Sequence, residues 1–126
     1  MNKLLQFMVM DNSGNYYNLI GFRSSGDDRS SILLIEVTLF DSKNNRTIVV
    51  GDLLEMKKYT DLDKLLQIRV MNNITGKNFK LLGFRTVNEL PFRGISVSGI
   101  TIHDVDARTA TTINGAELNN YSPINE

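Results

Sequence analysis

A string of eight residues near the start of this chain returns almost unchanged in its second half. Residues 3–10 read KLLQFMVM and residues 64–71 read KLLQIRVM, identical at six of eight positions. The residues that follow the two strings also match, which predicts two repeats, 1–61 and 62–122. A unit this short buries too little apolar surface to be stable alone. We therefore expect the repeats to share one core within a single domain, residues 1–126, that ends in a short tail at residues 123–126.

Alternating apolar and polar residues predict four strands in each repeat. The clearest is the third strand of the first repeat, whose apolar face is formed by Leu33, Ile35, Val37 and Leu39. In the first strand the repeats differ where Met8 is replaced by Arg69. An apolar residue is exchanged for Arg at low cost only where water reaches the side chain. Met8 is therefore expected to face outward, and the alternate residues Leu5, Phe7 and Val9 to face the core.

Eight strands in two repeats predict an all-β fold in which the repeats pack as a pseudo-two-fold β-sandwich or barrel. In the second strand of each repeat the alternation slips by one residue beside Gly21 and Gly83, which predicts a β-bulge or bend. An extra glycine, Gly99, in the third strand of the second repeat predicts another bulge. The alternative fold is α+β, with one short helix per repeat near residues 52–59, where Asp52 suits an N-cap. The matching residues 114–121 are rich in Asn, which disfavours a helix, so an extended conformation stays open for both segments.

The charge balance narrows the classes of partner. Lys and Arg together number 14, as do Asp and Glu, so the net charge is zero. Proteins that grip a phosphate backbone usually carry a basic excess, which argues against nucleic acid as the main partner. Low net charge gives little colloidal repulsion and suits a subunit within an assembly. Because the sequence shows no signal peptide and no transmembrane span, we expect a protein of the cytoplasm or of a particle assembled inside the cell, for example a virus particle.

Residues that could carry catalysis are few. The single histidine, His103, matches Phe40 of the first repeat, and a position that accepts Phe is typical of a partly buried aromatic site rather than a general base. Asp41, Asp104 and Asp106 lie at hairpin loops, where Asp favours a turn, and their spacing does not fit a calcium loop. Cys is absent, which excludes disulfides and thiolate zinc sites. The sequence therefore predicts no catalytic residue, no metal and no cofactor.

Two sets of residues are candidates for contact with a partner. Four arginines follow equivalent segments of the two repeats and could bind carboxylates or phosphate, or form structural ion pairs with Asp41 and Asp104: Arg23, Arg85, Arg46 and Arg108. A second, outward face of the first repeat is apolar, whereas the matching residues of the second repeat are Gly94, Ser96 and His103. This apolar set is Ile32, Leu34 and Phe40.

The leading hypothesis for function is a non-catalytic structural or protein-interaction module, such as an assembly subunit, an adaptor or an inhibitor. Its partner would be another protein or a second copy of the chain, which can pair with an exposed sheet edge or an apolar face. The alternative is a nucleic-acid-binding β module that uses the paired arginines with Tyr16 or Tyr17. A small ligand held between the repeats is a third possibility.

Overall fold

The computed structural model describes residues 2–25, 33–60, 62–89, 94–104 and 108–124. The protein is mostly β, with 58% of the described residues in strands and 19% in helices, and the strands form one open antiparallel sheet. The prediction of a predominantly β protein is confirmed, whereas packing as a sandwich or barrel is not seen. Among the described residues, no helix is long and apolar enough to cross a membrane.

The same types of element follow one another in each half of the chain. In residues 1–61 they are a 3₁₀ helix η1 (Asn2–Gln6), β1 (Met8–Met10), β2 (Tyr16–Ser24), β3 (Leu34–Asp41), β4 (Arg46–Val50) and α1 (Leu53–Met56). In residues 62–126 they are η2 (Leu62–Gln67), β5 (Arg69–Asn72), β6 (Asn78–Glu89), β7 (Gly94–Asp104), β8 (Thr109–Asn114), a 3₁₀ helix η3 (Gly115–Asn120) and β9 (Tyr121–Pro123). The last strand thus includes Pro123, which the sequence placed in the tail.

Strands β2 and β6 form the centre of the sheet. One edge of β2 pairs with β3, and its other edge pairs first with β1 and then with β6. Strand β6 is surrounded in the same way, by β7 on one edge and by β5 and β2 on the other. Strands β4 and β8 lie outside β3 and β7, and β9 pairs with β5. The two halves therefore meet along β2 and β6, where Phe22 is opposite Phe84 and Arg23 is opposite Gly83.

The predicted bulges at Gly21 and Gly83 are present, but the bulge assigned to Gly99 lies elsewhere. The register shifts between Leu19 and Gly21 in β2 and between Leu81 and Gly83 in β6. A second register shift leaves Ser98 of β7 unpaired as the bulged residue. Gly99 is therefore paired and lies opposite Arg85. Gly99 was misassigned because sequence alternation alone does not distinguish an inserted residue from its neighbour.

Strand β3 has its own bulge, which the sequence did not predict. The shift passes over Ile35, because Arg23 is opposite Glu36 and Ser24 is opposite Leu34. The bulge reverses the phase of the strand, so that Leu34 packs against the core while Leu33 and Ile35 are 63% and 39% exposed. Val37 and Leu39, which follow the bulge, are fully buried as predicted.

The opening string forms a short helix followed by a strand, whereas the sequence predicted a strand throughout. Leu4 in η1 and Leu65 in η2 are buried, at 5% and 0% exposure, although the predicted strand placed this position on its outer face. In a 3₁₀ helix residues three apart lie on the same side, so Leu4 faces the core together with Phe7. Beyond the helix the prediction is correct, because Val9 is 1% exposed and Met8 is 50% exposed.

Polar side chains define the turns and the first helix. The Asp11 carboxylate accepts hydrogen bonds from the backbone of Ser13 and Asn15, and the Asn72 side chain accepts from Ile74 and Thr75 at the equivalent turn. Asp52 has extended backbone geometry, and its side chain accepts from Leu54 N at 2.8 Å, so it is the N-cap of α1 as predicted. The equivalent residues of the second half form the 3₁₀ helix η3, with no side-chain cap.

A single hydrophobic cluster lies on one face of the sheet and draws on both halves. Its most deeply buried residues are Val9, Leu19, Val37, Leu39, Leu65, Val70, Leu81 and Ile100. Where β2 and β6 meet, residues of both halves also line an open cleft.

Candidate interaction site

An open cleft of about 530 Å³ lies where β2 and β6 meet. Both halves contribute to it at matching positions. From the first half come Gly21, Arg23, Ser24, Glu36 and Thr38, and from the second half Gly83, Arg85, Thr86, Gly99 and Thr101. Of the four arginines singled out in the sequence, the structure brings Arg23 and Arg85 together on this cleft.

Two glycines allow the strands at the floor of the cleft to approach each other. A Cβ atom on Gly83 would lie 2.5 Å from the carbonyl oxygen of Phe22, and one on Gly21 would lie 3.0 Å from that of Phe84. Real Cβ atoms essentially never come as near as the first of these distances. Gly83 is thus required by close backbone approach, and Gly21 lies in a nearly equivalent position.

Two hydroxyl groups join the strands at the same junction. Ser24 Oγ donates to the carbonyl oxygen of Leu82 at 2.5 Å, and Thr86 Oγ1 donates to that of Ile20 at 2.8 Å. These bonds satisfy backbone acceptors at a place where only two residue pairs are in register between β2 and β6. They hold the strand segments that carry Arg23 and Arg85.

The two arginines of the cleft have different surroundings. Arg23 faces Glu36 across the strands, with 3.7 Å between Nη2 and Oε2 and with both side chains well exposed. Arg85 faces Gly99 instead, and its guanidinium lies so close to the glycine backbone that a Cβ there would be 2.8 Å from Nε. Among the described residues no carboxylate pairs with Arg85.

Arg46 and Arg108 do not line the cleft. Arg46 Nε lies 3.5 Å from Asp41 Oδ2 at the end of the β3–β4 hairpin. The Asn44 side chain and backbone amides of the hairpin donate to the buried Asp41 carboxylate and hold its pKa below the usual value.

Arg108 precedes β8 with φ 55°, and Asn45 has nearly the same conformation, φ 52°, before β4. The structure therefore makes Asn45, not Arg46, the counterpart of Arg108, and Asp104 pairs with Lys77 at 3.0 Å.

The apolar set does not form one exposed patch in the part of the chain that the structure describes. Leu34 packs against the core, and Phe40 is partly buried on β3 between Asn18 and Thr47. Ile32 lies outside the described residues.

A different group of apolar residues is exposed at the outer edge of the first half. Val49 on β4 is 60% exposed, and Leu53 and Leu54 of α1 are 69% and 71% exposed. Strand β4 pairs with β3 only, so no described strand pairs with its other edge. The sequence carried a signal for this surface, because Ile48 to Val50 are three consecutive apolar residues and a strand with one buried face must turn the middle one outward. At the equivalent register position of β8 stands Thr112, a polar residue.

A second cavity, of about 330 Å³, lies between the two copies of the opening string. Its lining includes Lys3, Gln6 and Phe7 and their matches Lys64, Gln67 and Ile68, together with Pro123 and Ile124. The third hypothesis for function, a small ligand held between the copies, would use this space. Its charged lining residues are the cations Lys3, Lys64 and Arg69, and no acidic residue is among the described residues that line it.

His103 occupies the register position that Phe40 holds in the first half. It is 6% exposed, and its Nε2 atom has no hydrogen-bond partner among the described residues. Within the described residues no group of three or more His, Asp or Glu side chains is arranged to hold a metal ion. His103 is therefore a buried ring in β7 that belongs to no metal-binding group among the described residues.

Comparisons with protein-family models, with curated proteins and with solved structures found no match.

Proposed function

We propose that this protein is a non-catalytic interaction module that associates with a second copy of itself through the edge of β4. The observation that carries the proposal is an edge strand without a described neighbour, next to three exposed apolar residues, Val49, Leu53 and Leu54. Unpaired strand edges bind other strands readily unless charge, proline or a covering segment prevents it. No described strand pairs with this edge.

The sequence of the edge favours a second copy as its occupant. If two β4 strands pair antiparallel about Val49, Arg46 of each copy lies opposite Asp52 of the other, and Ile48 lies opposite Val50. Opposite charges directly across two strands stabilise the pair, by roughly 0.2–1 kcal/mol each. The Arg46 side chain is 63% exposed despite its ion pair with Asp41, so it is accessible to a partner.

Strand β8 is also an edge strand, since among the described strands it pairs with β7 alone, but it lacks the exposed apolar residues. Strand β8 has exposed Thr111 and Thr112, and the first residues of η3 that follow it, Gly115, Ala116 and Glu117, are small or charged. An interface that uses the same surface on both subunits closes as a two-fold dimer, whereas two adhesive edges per chain would build filaments. We therefore expect a closed dimer, which larger assemblies could use as their unit.

We also infer that the two halves are repeats of one module, related by an approximate two-fold axis near Phe22 and Phe84. Three features support this. The elements follow in the same order, the bulges fall at matching positions, and the bonds from Ser24 to Leu82 and from Thr86 to Ile20 are reciprocal. The single domain built of two repeats, as predicted from the sequence, follows from this inference.

Measurement of mass in solution tests the dimer. Sedimentation equilibrium of the full chain should give a dimer that dissociates on dilution, and Val49→Lys should raise the dissociation constant at least about tenfold, or 1.4 kcal/mol. Thr112→Lys, the same introduced charge at the equivalent position of β8, should leave the dimer intact. A wild-type chain that stays monomeric at millimolar concentration, or equal effects of the two lysines, would rule the proposal out.

The alternative, a nucleic-acid-binding module, draws on Arg23 and Arg85 lying on one cleft. Tyr16 is 61% exposed, whereas Tyr17 is buried with its hydroxyl on Asp11, so only Tyr16 is free to stack on a base. Binding through phosphates must weaken steeply as salt rises. A mobility-shift experiment at low salt with single-stranded DNA decides it, since the absence of a complex removes this alternative.

A further inference from the structure

We propose that the central cleft binds a carboxylate group and that Arg85 is the residue that holds it. The carboxylate belongs either to a small organic acid or to an acidic side chain of a peptide. The inference does not depend on dimer formation, because the cleft lies at the β2–β6 junction and not at the edge of β4.

The position of Arg85 is set by the strand opposite. Gly99 lacks the Cβ atom that would press on Nε, so the guanidinium can lie close against the β7 backbone. Ser98, the bulged residue beside it, donates its hydroxyl to the carbonyl oxygen of Arg85 at 3.3 Å. The Ser98 bond fixes the backbone of Arg85, and its guanidinium presents a planar set of donors that matches the two oxygens of a carboxylate.

The charges of the cleft are not balanced. It contains the guanidinium groups of Arg23 and Arg85 but a single carboxylate, that of Glu36, among the described residues that line it. Glu36 lies on the Arg23 side, 3.7 Å from its Nη2. One bound carboxylate at Arg85 would neutralise the remaining charge.

The first half shows how such a carboxylate can bind. Glu36 stands opposite Arg23 in the ladder, and at the equivalent position Gly99 stands opposite Arg85. In the first half the chain supplies its own carboxylate, whereas in the second half Gly99 supplies no side chain and no described carboxylate pairs with Arg85. The Arg23–Glu36 pair is thus an internal copy of the contact that we assign to Arg85 and its ligand.

The rest of the cleft suits a small polar ligand. Thr101 and Thr112 line the second-half side, and their hydroxyl groups can bond the remaining oxygens of an organic acid or the backbone of a peptide. The volume, about 530 Å³, lies within the range of small-molecule sites.

Arginine side-chain resonances give a direct test on the full chain. The protein is titrated with sodium glutarate and, separately, with an acetylated and amidated Gly-Glu-Gly peptide, at constant ionic strength. Both should shift the Arg85 Nε–Hε signal and the Gly99 amide in a saturable way, and the probe with the lower dissociation constant identifies the source of the carboxylate. Arg85→Gln should weaken binding at least tenfold, whereas Arg69→Gln, which removes an exposed arginine outside the cleft, should not.

Two further variants separate the site from general electrostatics. Arg85→Lys keeps the charge but loses the planar donors, so binding should weaken severalfold. Gly99→Glu places the carboxylate of the first half in the second and should abolish binding, and the titration is repeated on Val49→Lys to show that binding persists in the monomer. No saturable shift at tens of millimolar probe, an unchanged affinity in Arg85→Gln, or binding of single-stranded DNA but not of glutarate would overturn the proposal.

Discussion

Phe22 and Phe84 meet edge to face, with 5.5 Å between ring centroids and 86° between ring planes. The same two residues are opposite each other in the short ladder between β2 and β6. Such contacts add roughly 0.5–1.5 kcal/mol beyond the burial of the rings. The junction of the two halves therefore combines an aromatic contact on its side chains with the close approach of two glycines in its backbone.

Substitution of Gly83 by Ala is expected to be one of the most damaging small changes to this protein. The added methyl group would lie 2.5 Å from the Phe22 carbonyl oxygen, a backbone atom that cannot rotate away. Overpacking of this kind costs about 1–3 kcal/mol, and we expect the upper end because two strands must separate. Urea denaturation followed by circular dichroism measures the loss.

Gly51→Ala is the matched control for this change. A Cβ on Gly51 would meet no atom within 4 Å, and Gly51 does not have a positive φ. Its free energy of unfolding should stay within about 0.5 kcal/mol of the wild type, as for other surface substitutions. A similar loss in both variants would show that backbone contact at Gly83 is not the cause.

Stability should fall at alkaline pH because of the contact between Tyr17 and Asp11. The Tyr17 hydroxyl donates to Asp11 Oδ2 at 2.8 Å, and this bond, with burial and the negative charge of Asp11, raises the pKa of Tyr17 from 10.0 to about 12. As pH rises from 10 to 12 the unfolded chain loses this proton first, so the unfolded state is favoured. The stabilising contribution is complete below pH 10 and is lost by about pH 12.

Denaturation curves between pH 8 and 12 measure this effect. Tyr17→Phe removes the hydrogen bond, so the variant should be less stable at pH 8 and its stability should fall less steeply above pH 10. Tyr16→Phe is the control, because Tyr16 is exposed on the same strand, and its curve should follow that of the wild type. Identical slopes for Tyr17→Phe and the wild type would contradict the assignment.

At acidic pH two carboxyl groups, those of Asp11 and Asp41, should make the stability of the protein fall as the pH decreases. Backbone and side-chain donors, led by the Asn15 amide at Asp11 and by the Asn44 side chain at Asp41, lower the pKa of each carboxyl below 3.8. Both contributions are present above pH 3.8 and are lost as pH falls through the lowered values. The same measurements extended below pH 4 should show this loss, and Asp41→Asn should reduce it.

Replacement of His103 by Phe is expected to stabilise the protein. Nε2 of this buried ring has no hydrogen-bond partner in the part of the chain that the structure describes, and an unsatisfied buried polar group costs about 1–3 kcal/mol. Phe already occupies the equivalent register position as Phe40. We expect a gain of about 1 kcal/mol after allowance for repacking, measured as a rise in the urea midpoint.

The reciprocal change, Phe40→His, is the comparison for His103→Phe. It places a polar ring at a partly buried apolar position and should lower the urea midpoint. If His103→Phe is destabilising while Phe40→His is neutral, the two positions are not equivalent environments and the argument from register fails.

The sequence was sufficient where a pattern has one structural meaning. Asp11 followed by Gly14 allows little but a turn, Asp52 before apolar residues favours an N-cap, and the phase slip beside Gly21 and Gly83 requires a bulge. The sequence was insufficient for the opening string, because two patterns overlap there. The spacing of Leu4 and Phe7 fits a helical turn, and the alternation of Leu5, Phe7 and Val9 fits a strand equally well. Short apolar runs leave this choice to tertiary packing.

The candidate site was predicted in part for a similar reason. Arg23 and Arg85 follow matching Gly-Phe pairs, so their likeness is visible in the sequence. The contact of Arg85 with Gly99 depends on the register between β6 and β7, which a bulge at Ser98 shifts by one residue. The same kind of shift at Ile35 turned Leu34 from the predicted outer face to the core.

The two halves of the chain end in different structures, and this difference matters for a circular permutation of the chain. Tyr121 begins strand β9 along β5, whereas Tyr59 makes a single bridge with Asp11 before the chain leaves for η2. Lys3 and Ile124 line the same small cavity, so both ends of the described chain lie at one place. A circular permutant that joins residue 124 to residue 2 and opens at residue 61 would place the second half first. Tyr59 already bridges Asp11, and Thr60 N donates to the Met10 carbonyl oxygen at 2.9 Å, so these two residues would become the last residues of the permutant and would lie beside β1, as β9 lies beside β5.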